Sequence, residues 1–150
     1  MMQNRLVDAE RLYEVTLKNL SMSNRGNKAA YLHQCISFAQ FKHHRYRDSI
    51  PSLLRSIHLQ PNHLRDWYNV AIVSELSATS TIADGDKRSK AVLVVDILQA
   101  KKELIFAKSV FHSLGRINSN QKLLNYDKKS ALNHEILCQV FYFRGEPIHL

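Results

Sequence analysis

Apolar side chains recur every three or four residues along most of the chain, the period of an α-helix rather than the alternation of a strand. In LVDAERLYEVTLKNL, Leu6, Ala9, Leu12, Tyr13 and Leu17 make one stripe. The turn-forming run SMSNRGN predicts an end to this helix near Ser21, with Gly26 free to take a positive φ. A second helix is expected from about Lys28 to Lys42, with Tyr31, Cys35, Phe38, Ala39 and Phe41 as its apolar positions. HHRYR makes a short corner. A third helix follows from about Asp48 through SIPSLLRSIHL, where Pro51 fits a first turn whose N–H groups have no intrahelical partner.

QPNH marks a stop and a restart: Pro61 disfavours helix at Gln60, and Asn62 can cap the next segment. That fourth helix, LRDWYNVAIVSELSA, is strongly apolar through Trp67, Tyr68, Val70, Ala71, Ile72 and Leu76. The polar run TSTIADGDKRSK, centred on Asp84-Gly85-Asp86, predicts a loop. A long helix is then expected over roughly Ala91 to Leu114, with Gly115 as its C′ residue. A less regular sixth helix runs from about Gln121 to Tyr142, before a frayed tail, FYFRGEPIHL. Six helices and no strand give an all-α fold.

An internal repeat organises these helices. The second helix through Pro61 forms an antiparallel pair of about 34 residues, and the same step from His33 reaches Trp67, the start of W-x-x-V-A. This resembles the tetratricopeptide repeat, whose first helix carries a large aromatic, then Leu, then Gly or Ala at that spacing. Its second helix carries a small residue and an aromatic four later, as Ala9…Tyr13 and Ala107…Phe111 do. The small residue lets two helices approach, and the aromatic fills the groove between neighbouring pairs. The resemblance implies a right-handed helix-pair solenoid, with Ala9, Tyr13, Leu53, Trp67, Val70, Ala71, Ala107 and Phe111 as packing residues. Ser37 and Ser49 depart from it, standing where small apolar residues are usual.

The order of the pieces is also similar to one branch of that family: the C-terminal repeat region of the large scaffold subunits of the RNA polymerase II-associated factor complex. The similarity is carried by DAERLYEVTLKNL, by AQFKHHRYRDSIPSLLRSIHLQPN, and by WYNVAIVSELSATS followed, after a polar insertion, by KELIFAKSVFHSLGRI. It covers roughly residues 6 to 140. It implies helix pairs at about 28–60 and 62–115, with the insertion near 78–89, in one repeat region spanning 1–150. Members of the branch are longer, with more repeats and a charged tail, so the chain is expected to be a fragment of a longer solenoid. The resemblance further implies a nuclear scaffold that binds the complex's other subunits and RNA polymerase II, supporting elongation and histone modification. The alternative is a generic cytoplasmic tetratricopeptide adaptor for peptide or chaperone partners.

Composition and charge narrow the partners. With 150 residues, 45% of them hydrophobic, the chain can bury a sizeable core. Two cysteines make no disulfide framework, no apolar run is long enough for a membrane span, and a reducing compartment is expected. The net charge of +8 is uneven. Residues 25–65 hold seven basic groups against Asp48 alone, or +6, whereas residues 66–100 come to −2. A solvated helical face accounts for this most simply, with an acidic protein surface or nucleic acid as alternatives. Direct nucleic-acid binding is not expected, since no nucleic-acid-binding motif is present.

Catalytic and metal signatures are missing from the sequence. His33, Cys35, His43 and His44 lack zinc-ligand spacing, and Cys35 and Cys138 read as small buried hydrophobes. His58 and His63 flank the Pro61 linker as surface contacts. No phosphate loop, nucleophile elbow or complete calcium loop occurs, and Asp8, Glu10 and Glu14 read as a solvated face. No enzyme, cofactor or small-molecule substrate is expected. What remains is a concave surface lined by the first helix of each pair. Applied here, that geometry selects Tyr31, Gln34, Phe38 and Phe41, then Arg65, Tyr68, Ile72 and Glu75, as partner-binding residues. Phe38 and Tyr68 would serve as anchors and Arg65 would pair a carboxylate. Packing between helices is the competing role for Phe38 and Phe41.

Overall fold

The computed structural model describes residues 2–20, 25–84, 90–116 and 134. Among them are five α-helices and no strand: α1 (Met2–Asn19), α2 (Arg25–Lys42), α3 (Tyr46–Leu59), α4 (Leu64–Ala83) and α5 (Lys90–Arg116). The fold is all-α. α1 packs on α2, and α2 on α3. The chain divides into two compact units, Met1–Val73 and Ser74–Leu150, with the division falling within α4.

Several boundaries differ from those expected. Gly26 lies inside α2 with no positive φ, because the helix begins a turn earlier and makes no left-handed demand there. The left-handed residue is instead His44, at φ 58°. It occupies the C′ position of a Schellman motif that ends α2: the His44 N–H donates to the Phe41 carbonyl (2.9 Å), and the Arg45 N–H to that of Gln40 (3.0 Å). Histidine is among the residues that tolerate this conformation.

α4 also runs on to Ala83, through residues expected to be loop. Thr79, Ser80 and Thr81 donate their hydroxyls to the Leu76 or Ser77 carbonyls three or four residues back (2.8–3.2 Å), which is compatible with helix. Burial of Ser77 and Ala78 then holds the segment. Gly115 is helical rather than a C′ residue, since the stripe of Val110, Phe111 and Leu114 beneath it is buried. The centre of the expected loop, from Gly85, falls outside the described residues, as does the expected sixth helix except for His134.

Small residues let the helices approach. Ser37 and Ser49, the two departures from the repeat pattern, are buried, and the Ser49 hydroxyl is satisfied by the Tyr46 carbonyl at 2.9 Å. Serine therefore replaces alanine here without an orphaned hydroxyl. Burial also repeats along the sequence. Ile36, Ser37, Ala39 and Gln40 are buried in α2, and 34 residues later so are Val70, Ala71, Val73 and Ser74 in α4. The pair Ser49/Leu53 in α3 has its counterpart in Ala107/Phe111 in α5, a buried small residue followed by a buried large one a turn later.

Candidate functional site

α2 offers a partner two exposed aromatic rings. Its inner side buries Ala29, Ala30, Ile36, Ser37 and Ala39. Its outer side carries Lys28, Tyr31, Cys35, Phe38 and Lys42 at the i, i+3, i+7, i+10, i+14 spacing that keeps residues on one face. Tyr31 is 64% exposed and Phe38 58%, large values for aromatic rings. Cys35 is half-buried, and hydrogen bonding with its thiol raises the Tyr31 phenol above its ordinary pKa. The Lys42 ammonium lies 5.3 Å from the centre of the Phe38 ring, a cation–π contact that leaves the other ring face open. At the opposite end of the stripe, a cavity of about 370 Å³ is lined by Thr16, Leu20, Asn27, Lys28, Tyr31 and Leu32. Aromatic faces and an apolar hollow are thus bracketed by lysines.

Buried polar ties hold this helix in place. Asp66, 1% exposed, accepts from the Ser56 hydroxyl (2.7 Å) and the Gln34 amide (2.8 Å) on one carboxylate oxygen. Its other oxygen meets His63 Nδ1 at 3.0 Å. Gln34 also donates to Ser56 at 3.2 Å, so one carboxylate joins α2, α3 and α4. Glu10, also buried, does the same for α1: Gln40 donates to one oxygen (2.8 Å) and Arg45 to the other (2.9 Å). Arg45 additionally bonds Asp48 at 2.8 Å. His33, buried on the same helix, has its pKa lowered by burial and, secondarily, by the Arg55 charge. It stays neutral more readily than a solvated histidine.

The expected partner-binding residues are thus placed unequally. Tyr31 and Phe38 face outward, and Arg65 is exposed at the start of α4. Phe41 is half-buried, its ring centre 5.6 Å from that of Tyr46. Tyr68 and Ile72 are half-buried. Gln34 turns its amide inward to Asp66. Glu75 belongs to the second unit, where it is buried against His134 (2.7 Å), whose ring stacks on Phe111. Of the packing residues, Leu53, Val70, Ala71, Ala107 and Phe111 are buried, while Ala9, Tyr13 and Trp67 are half-buried. The Trp67 indole N–H donates to the Pro61 carbonyl at 2.8 Å, tying the aromatic to the linker.

Two polar residues escape the sequence pattern. Glu10 reads as part of a solvated face, yet it is buried, because Gln40 and Arg45 reach it from 30 and 35 positions away. Asp66 shows in the sequence only as an acid in the first turn of α4, and its partners Gln34 and Ser56 leave no trace there. Among the described residues no group of three metal-binding side chains gathers, and no helix is long and apolar enough to cross a membrane. Cys138 lies outside the described residues. Compared with known proteins, the chain matches no family model, and no curated protein or solved structure shows significant similarity to it.

Proposed function

We propose that this chain is a protein-interaction scaffold built of tetratricopeptide-type helix pairs in a solenoid, and that its partners are subunits of the RNA polymerase II-associated factor complex. The observation that carries the interaction role is the outward stripe of Tyr31, Cys35 and Phe38 on a helix whose other side is locked by buried polar ties. Exposed aromatic rings on a rigid element are the usual anchors of protein interfaces. The 34-residue recurrence of burial from α2 to α4 supports the repeat type. The choice of complex rests on the ordered sequence resemblance, and with it go a nuclear location and a part in elongation-coupled histone modification.

The test is a pull-down of the complex's other subunits by the full chain, alongside a Tyr31→Ala/Phe38→Ala double variant. The wild-type chain is expected to retain at least one subunit, and the variant to lose it with its helical signal intact. A well-folded chain that retains none would sink the assignment to this complex. Binding instead to acidic chaperone-tail peptides, abolished by Arg65→Ala, would turn the reading to a cytoplasmic adaptor.

A further inference from the structure

The second unit carries an apolar face that the proposal above does not use. In α5, Val94, Val95, Leu98 and Ile105 are exposed, at 59%, 67%, 56% and 54%. The same helix buries Ala100, Leu104, Ala107 and Phe111 on its other side. At the helical angle per residue, the four exposed side chains share a sector of about 100°. Val94, Leu98 and Ile105 sit i, i+4, i+11 over roughly 16 Å, three positions of one seam of a paired helix whose i+7 position is half-buried Lys101. Exposed Lys102 falls in the same sector, and beyond Ile105 so do exposed Ser109, Ser113 and Arg116 and half-buried His112. The helix's two acids, Asp96 and Glu103, lie outside it, half-buried and buried. The face is therefore aliphatic and cationic, with no anion among its described residues.

We infer that this face of α5 docks an amphipathic helix of a partner protein whose apolar seam is flanked by Glu or Asp. Charge complementarity selects the acid, and the heptad-like spacing selects a helix. A second copy of the chain would bring the same cations together across a two-fold axis. An interfacial membrane helix would set Trp or Phe beside a dense row of cations, and this sector holds aliphatic residues, two serines and two exposed cations. Single-stranded nucleic acid would call for aromatic stacking platforms, which the sector also lacks. The docking stands apart from α2 and does not need its aromatic stripe.

The test is a display selection with the full chain as bait. One library presents 21-residue helices with randomised apolar residues at the seam and Glu on both flanks; a second carries Lys on the flanks. Binders are expected from the Glu library alone. Leu98→Ser and Ile105→Ser should each weaken them at least tenfold, whereas Tyr31→Ala/Phe38→Ala should leave them unchanged. That last arm keeps this outcome separate from failure of the α2 interface. Lys102→Glu, a solvent-exposed change that spares the core, should weaken the same binders several-fold at low salt. Equal enrichment from both libraries would overturn the inference, as would binders indifferent to Leu98, Ile105 and Lys102. So would recruitment to phosphatidylserine vesicles, or self-association, that depends on those same residues.

Discussion

The two units bury acids in different ways. In the first, Asp66 receives Gln34 and Ser56 from other helices and Glu10 receives Gln40 and Arg45, so each carboxylate ties separate parts of the unit together. In the second, Glu75 meets the ring of His134, which stacks on the buried Phe111. Burial raises the pKa of Glu75, an effect that the charge and hydrogen bond of His134 offset in part. The contrast teaches that similar burial can serve either to join helices through several donors or to seat an acid against a single ring. Both units bury apolar side chains, and in the first the buried acids also tie helices to one another.

That contrast can be broken by mutation. The largest effect is expected from Phe111→Ala, which empties a fully buried site in the second unit. A loss of about 3–5 kcal/mol is expected in urea unfolding, with α5 amides losing hydrogen-exchange protection first. A loss below about 1 kcal/mol would mean that the second unit is not held by this ring.

Next comes Asp66→Ala, which strands Ser56 and Gln34 inside the first unit. About 3 kcal/mol should be lost, and Asp66→Asn should recover part of it by keeping one acceptor. Equal losses for both variants would show that volume rather than hydrogen bonding matters there.

Glu75 offers a pH test. Its folded pKa lies above its unfolded value, so its contribution is complete below the ordinary carboxylate range and is lost as pH rises through the raised value. Glu75→Gln keeps an acceptor for His134 and removes the titration. Melting curves from about pH 4 to 7 should therefore be flatter for the variant than for wild type. Parallel curves would contradict the assignment. The smallest effect belongs to His44→Gly at the α2 corner, where relief of the left-handed conformation should raise stability by about 0.5 kcal/mol, net of the lost contact with Tyr46 (2.8 Å).

Much of the fold is legible in the pattern of apolar residues. The 3.6-residue period places all five described helices, and α3 starts within two residues of its expected position. The misses share a cause. Propensity favours loop at Thr79–Ala83 and a stop at Gly115, and tertiary burial overrides it at both. Of the candidate surface, Tyr31 and Phe38 are visible because an exposed aromatic keeps its helical phase. Gln34 and Glu10 are not, because a polar residue's direction depends on partners remote in sequence.

The corner at His44 also bears on the order of folding. Its Schellman bonds close within six residues, whereas Glu10 must find Gln40 and Arg45 across 30 and 35 positions. Local closure loses little chain entropy and the distant one loses more, so the α2–α3 pair is expected to form before α1 is clasped to it. Refolding kinetics should then show Glu10→Gln acting almost wholly on the unfolding limb. A slower folding limb would instead place the α1 clasp inside the nucleus. The residue that turns the chain sets where the two donors wait, and the acid arrives last.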